Sequence, residues 1–378
     1  MKRFETEIRF LTPAFLGDAF QKGRWRTPPF KALLREWWRI AAAKQHDYDW
    51  KSLREAEGLL FGHAFLERGG RTWASRSRVL IRLAPWAKGG LGAWNEQPET
   101  VRHPEVQFNN GQIDPFLYLG YGPLTYQNGV RLVRPPAIKA GETAGLVIHS
   151  TDEKVPAVAR LIHAFGTVGS RCRNGWGSIA LACHEAMTAD EIRGLAEAYA
   201  RPLKECLQLD WPHAFAKDRR GVCLWQIGPF GSWNDAMKKL AEIRIGVRTS
   251  VPLASGHGPV QERHVLGYPT TNHLVGDPEP TDDRGRRIGL FGEVRIPNCM
   301  HFKVVSVKDG LRAVIYITPH RIPTAVWRHR KSWRTNGKKV ERSFYEFDVD
   351  DIKEVKKQFC IWTHAISHLD DLDGVERL

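Results

Sequence analysis

The chain has 378 residues, with 56 lysines and arginines against 42 aspartates and glutamates, a formal net charge of +14. That excess predicts a polyanionic partner, nucleic acid or an anionic surface, and leaves the fold open. No apolar run approaches the ~20 residues that cross a bilayer, and no Walker loop, nucleophile elbow or dinucleotide fingerprint is present.

The length is enough for two domains with real cores. Met1-Lys2-Arg3-Phe4-Glu5 lacks the apolar centre of a signal peptide, so a cytoplasmic location is expected. Six scattered cysteines, none at zinc-knuckle spacing, predict reduced thiols, and neither a metal nor a cofactor is expected.

Phe4, Thr6, Ile8 and Phe10 alternate with charged residues and predict a first strand that ends at Thr12-Pro13. Gly17 to Thr27 reads as a mobile basic loop holding Asp18, Arg24 and Arg26. Pro28-Pro29 opens a helix. Its apolar face is Phe30, Leu33, Leu34, Trp37 and Ile40, and Lys31, Arg35 and Arg39 form a basic stripe. Trp37 is expected in the core. Trp38, nearer the stripe, is a candidate for stacking on a base.

Val79 to Leu83 predicts a second strand, and residues 84 to 142, rich in Gly, Pro, Trp and Asn, a long insertion. Leu146 to Ile148 predicts a third strand, Val155 to Phe165 a helix and Ile179 to Ala182 a fourth strand. The order strand, helix, strand, strand, helix, strand is the ferredoxin-like plan, also used by a common RNA-recognition sheet. Between that helix and the fourth strand lies Gly169-Ser170-Arg171-Cys172-Arg173-Asn174-Gly175-Trp176-Gly177-Ser178. Outward-turned amides, arginine forks and an indole face in one loop suit a ribose-phosphate backbone.

Residues 188 to 210 read as a connecting helix. A degenerate second copy of the plan is expected beyond it. Its parts are a strand at Val222 to Ile227, a helix capped by Ser232 and a hairpin turning at Asp309-Gly310, with a helical tail from about Asp350. Residues 250 to 300 lack periodicity and are expected as another insertion. A further basic tract, Arg328, Arg330, Lys331 and Arg334 with Trp327 and Trp333, has the composition of a single-strand groove.

Four of these segments resemble the RAMP superfamily of type III CRISPR effector subunits. They are Leu11 to Gly17, Arg26 to Arg39 with its paired tryptophans, Leu59-Leu60-Phe61-Gly62, and Gly166 to Ser178. Taken together they are most like the first subunit of the Cmr (type III-B) complex. Leu266-Gly267-Tyr268-Pro269 and His301-Phe302-Lys303-Val304 resemble that subunit's second domain more weakly.

The resemblance implies an α+β chain of two tandem ferredoxin-like domains with long insertions, bounded at 1–187 and 216–378 with a connecting helix at 188–215. It implies a non-catalytic RNA-binding subunit that holds the 3′ region of a CRISPR RNA and its duplex with target RNA beside other effector subunits, away from any membrane. Where the family's glycine loop often has paired basic residues, Arg173-Asn174 stands here. Two enzyme readings stay open. In related backbone subunits an acidic residue after the first strand supports metal-dependent cutting of target RNA, and Asp18 occupies that loop. A related family matures CRISPR transcripts as an endonuclease, but its glycine loop closes the C-terminal half rather than the first.

Overall fold

A computed structural model of the chain describes residues 1–68, 70–258, 260–268, 273–275, 295–323, 330–335, 337–343 and 355–378. It is a mixed α+β structure with two four-stranded antiparallel sheets.

In the first sheet the strands lie in the order Ile179–Leu181, Lys2–Phe10, Thr143–Ser150, Leu80–Ala84. Thr6, Ile8 and Phe10 are buried while their neighbours are exposed, as period-two patterning requires. Helix α1 (Thr27–Ala43) begins on its two prolines and buries Phe30, Leu33, Leu34, Trp37 and Trp38. Asp49 caps α2 (Trp50–Phe61) by accepting from the amides of Lys51 and Ser52. Trp37 is in the core, stacked on Phe165 at 5.8 Å and on Phe215 at 5.9 Å.

The insertion at 84–142 contains short strand pairs and α3 (Pro115–Gly120), and it packs on the second half of the chain. Phe116 lies 5.3 Å from Trp233, and Arg263 grips Glu105 through two bonds of 2.6 and 2.7 Å. Helix α4 (Val155–Phe165) leads into the glycine-rich segment and the edge strand Ile179–Leu181.

The connection differs from the expected long helix. α5 (Ala189–Glu197) starts on a Thr188/Glu191 capping box and stops early. Ala200–Pro202 then pairs in parallel with Phe215–Asp218, and α6 (Leu203–Cys206) follows. Pro202 has no amide to continue a helix, and Leu203, Cys206 and Phe215 join the core instead.

In the second sheet the order is Met300–Val307, Gly310–Ile317, Leu224–Phe230, Glu376–Arg377. Helix α7 (Trp233–Thr249), capped by Ser232, and helix α8 (Val355–Asp370) complete this half. In chain order both halves run strand, helix, strand, strand, helix, strand through their sheets. The hairpin turns one residue earlier than expected: Val307 pairs with Gly310, leaving Lys308 and Asp309 as the turn. Within 250–300, the described residues form only short pieces, among them Gly256–Gly258 paired in parallel with His273–Val275.

The two halves are joined by buried polar contacts. Lys303, fully buried, reaches into the first half, and its Nζ donates to the carbonyls of Ile162 (3.2 Å), Gly166 (2.7 Å) and Ile179 (2.6 Å). Tyr316 Oη donates to the Phe165 carbonyl at 2.9 Å, and the Val304 amide donates to Ser178 Oγ at 2.9 Å.

Lys303→Met should strand three buried carbonyls and destabilise the chain by about 3 kcal/mol or more, read from urea unfolding. His163 beside it supplies a pH test. Burial first, then Lys303 and His184, push its pKa down to about 4, and its Nδ1 accepts from the Leu181 amide at 3.0 Å. An unfolded histidine protonates near 6.5, so the unfolded chain binds more protons between about pH 6.5 and 4. Stability should therefore fall as pH drops through that window, and His163→Gln should flatten the fall.

Candidate nucleic-acid interface

The glycine loop is largely internal. Gly169 is half-buried, while Ser170 and Arg171 are exposed. From Asn174 to Ser178 every residue is buried. The amides that were expected to face an anion are used within the protein: Ser170 donates to Phe15, Gly177 to Pro13, Gly175 to Cys172, and Ser178 to Thr12 Oγ1. Gly177 sits at φ +67°, and a Cβ there would lie 1.9 Å from the Val168 carbonyl oxygen, so only glycine fits.

Trp176 corrects the stacking expectation. Its side chain is 0% exposed and packs among Phe15, Trp94, Phe116 and Trp233 at 5.3 to 6.0 Å, leaving no face for a base. Asn174 is likewise committed: its Nδ2 donates to the Leu119 carbonyl at 2.7 Å. Gly175 fills a close approach to Met237. Arg173 donates to the Asn298 carbonyl at 2.8 Å. Of the loop's cations only Arg171 is exposed, with its Nε bonded to the Tyr121 carbonyl at 2.7 Å.

The basic stripe of α1 forms, but much of its charge is met. Arg35 and Arg39 both bind Glu57 of α2, each through Nε at 2.6 Å. Burial raises the Glu57 carboxyl, yet the two arginines outweigh it and hold the group below its usual range. Lys31 donates to Ser77 Oγ at 2.9 Å. Trp38 is a second correction: it is buried, edge-on to Phe61 at 5.8 Å, and its Nε1 donates to Asp152 at 2.8 Å. Within α1 only Pro28 and Ala32 are fully exposed, while Lys31, Arg35 and Arg39 are half-buried.

The loop after the first strand is tied down rather than mobile. Gly17 bridges Gly23, and Arg24 stands opposite Lys88 in an antiparallel bridge of segment 86–90. The Gly89 amide donates to the Gly23 carbonyl at 3.0 Å, and on its other side a Cβ on Gly89 would lie 2.1 Å from the Ala137 carbonyl oxygen. Asp18 acts as a turn residue, its Oδ1 accepting from the amides of Phe20 (2.8 Å) and Lys22 (3.0 Å). The Lys22 amide is the main cause that holds its carboxyl below the usual range.

Arg24 and Lys88 form a like-charge cross-strand pair, an arrangement that repels unless an anion lies between. Arg26 donates through Nη2 to the Gly17 carbonyl, while the Nε atoms of Arg24 and Arg26 are buried without a partner among the described residues. Phe20 (76% exposed) and Trp86 (62% exposed) flank this surface. Sequence reading missed Lys88, Trp86 and Phe20. Trp86-Ala87-Lys88 has the basic-aromatic interleaving sought elsewhere, but it lies inside a Gly/Pro-rich insertion whose approach to Arg24 is set by the fold.

In the last basic tract, Arg330, Lys331 and Arg334 fall on strand Arg330–Thr335, paired with Lys338–Ser343. The register places Lys331 opposite Arg342 and Arg334 opposite Lys339. Arg328 lies outside the described residues.

No protein-family model matches the chain. No curated protein matches it either. Among solved structures it is similar to Cmr1 from Pyrococcus furiosus in its apo form, at 17% identity and TM-score 0.39, over 84% of this chain and 88% of that one. It is also similar to a chain of the type III-B Cmr-beta complex bound to cognate target RNA, at 10% identity and TM-score 0.44, over 96% of this chain and 98% of that one. A chain of a type IV-B CRISPR complex is similar at 12% identity and TM-score 0.27, over 50% of this chain and 94% of that one.

The internal position of the glycine loop makes a stability prediction. Trp176→Ala should cost about 3–5 kcal/mol of folding free energy. Gly177→Ala should prevent normal folding through its clash and its positive φ. Circular dichroism and urea titration of both variants check this, and a Trp176→Ala protein of unchanged stability would contradict it.

Proposed function

We propose that this chain is a non-catalytic RNA-binding subunit of a type III CRISPR effector complex. In this reading it has two tandem ferredoxin-like domains, 1–187 and 216–378, joined through 188–215. It acts in the cytoplasm beside other effector subunits, holding the 3′ region of the guide RNA and its duplex with target RNA. The observation that supports it most is the Arg24–Lys88 pair with Arg26, two unpartnered guanidinium Nε atoms and the exposed rings of Phe20 and Trp86. Three cations gathered around a single carboxylate, Asp18, and set beside aromatic faces suit a single strand bound by backbone and stacking. Gly17 and Arg26, end residues of the motifs Leu11–Gly17 and Arg26–Arg39, bond each other beside this surface.

Sequence discrimination then belongs to base pairing between guide and target, and the protein supplies charge and shape. With about five phosphates neutralised, log affinity for single-stranded RNA should fall against log salt with a slope of roughly −3.5, at −0.7 per contact. Arg24→Gln with Lys88→Gln should reduce that slope by about 1.4 and weaken unrelated RNA sequences alike. Fluorescence anisotropy from low to moderate salt measures both. A salt-independent affinity, or a loss confined to one sequence, would overturn the reading.

A further inference from the structure

The insertion carries a hairpin, Leu124–Tyr126 paired with Val130–Leu132, that the interface above does not use. Leu124 is fully buried, and its cross-strand partner Leu132 packs against the same core. The register puts Tyr126 on their face, yet its side chain is 68% exposed, so the hairpin runs out past the core that anchors it. Arg131 stands opposite Thr125 on the other face and is exposed. Arg134, just beyond the second strand, is exposed too.

Both ends of the hairpin are tied to basic segments. Beyond its second strand, the Pro136 carbonyl accepts from the Gly23 amide at 2.7 Å, next to Arg24. Ala137 and Leu91 exchange backbone bonds of 2.9 and 3.0 Å. Even fully extended, the chain from Arg131 to Pro136 spans at most about 18 Å. Arg131 and Arg134 therefore lie on a short path that leads away from the Arg24–Lys88 pair. Before the first strand, the Tyr121 carbonyl accepts from Arg171 Nε at 2.7 Å. A Cβ on Gly122 would stand 3.4 Å from Arg171 Nη2, so the bare backbone there lets the guanidinium lie against it. Tyr121 is 65% exposed.

Acids are missing from this surface. Between Asp114 and Glu142 the chain has no carboxylate. The two that bound the segment are used internally. Asp114 Oδ1 accepts from the amides of Phe116 and Leu117, both at 2.8 Å. Glu142 accepts from Trp25 Nε1 at 3.0 Å and from the amides of Gly90 (2.7 Å) and Lys139 (2.6 Å). Among the described residues, Arg131, Arg134 and Arg171 make no ion pair. Exposed cations without an acid, set among exposed tyrosine rings, match a single strand's phosphates and bases.

We propose that the hairpin extends the RNA path. A single strand seated on the Arg24–Lys88 pair continues along Arg134 and Arg131, with Arg171 on a further phosphate and Tyr126 and Tyr121 stacked on bases. The inference rests on the RNA-binding reading above and adds a second stretch of contact, in which bases are held as well as phosphates. Stacking accepts any base, so the hairpin adds affinity without reading sequence.

The test uses the full chain and two fluorescein-labelled probes followed by anisotropy across a salt series. One is a single-stranded RNA, the other an oligomer of equal length built of abasic spacers. Tyr126→Ala should weaken RNA about fivefold or more, keep the salt slope and leave the abasic probe unaffected. Tyr126→Phe, which keeps the ring, should bind RNA like the wild type. Arg131→Gln with Arg134→Gln should lower the slope by about 1.4 on both probes. These positions are exposed, so thermal melts should match the wild type and any loss reports binding. An equal loss on both probes from Tyr126→Ala would overturn the stacking role. Wild-type RNA affinity in the tyrosine and arginine variants, with Arg24→Gln and Lys88→Gln impaired, would overturn the hairpin path and leave the RNA-binding function standing. A wild-type chain that binds neither probe would overturn both.

Discussion

The structure turns on one buried ammonium group. Lys303 comes from a strand of the second sheet, yet its Nζ is satisfied by three carbonyls of the first half, two of them at the end of α4. Three donors meet three acceptors, and a helix C-terminus favours a cation. Desolvation pulls the group well below its usual pKa, so the site is stable only while all three carbonyls stay in place. The strand Met300–Val307 is thereby fixed against α4 and against the segment that follows it. The glycine loop is the chain between those fixed points.

That position explains the loop's composition. A segment passing between two sheets within hydrogen-bonding distance of both has no room for side chains at its tightest point, which is Gly177 against Val168. Thr12 Oγ1 donates to the Gly175 carbonyl and accepts from the Ser178 amide, stitching the loop to the end of the first strand. Trp176 fills the volume between the insertion, α7 and the loop. The glycines serve close packing between the halves, and of the loop's cations Arg171 is the one left exposed.

The net positive charge is unevenly used. On α1 a single buried carboxylate, Glu57, takes up two arginines and turns a basic stripe into a helix–helix clamp. At the Arg24–Lys88 bridge two cations face each other across the strands, with the exposed Asp18 the acid acting on Arg24. A polyanion is attracted where charge is unpaired rather than where basic residues are most numerous. The Arg24–Lys88 pair arises where segments distant in sequence come together.

Period-two alternation in Phe4 to Phe10, the three-and-four spacing of Phe30 to Ile40, the prolines opening α1 and the Ser232 cap were all legible in the sequence, because each depends on neighbours within a turn or a strand. So was the repeated strand–helix order. The burial of Trp176 and Trp38 was not legible: it depends on Phe116, Trp233, Asp152 and Phe61, which lie 23 to 114 residues away from them along the chain. Nor was the pairing of Arg35 and Arg39 with Glu57, or the approach of Lys88 to Arg24. The amino-acid order by itself determined the local elements and the excess of positive charge. Only the tertiary structure decided which charges are neutralised and which face solvent, because Coulomb interactions act on distances in space, and those distances exist only after the halves have packed.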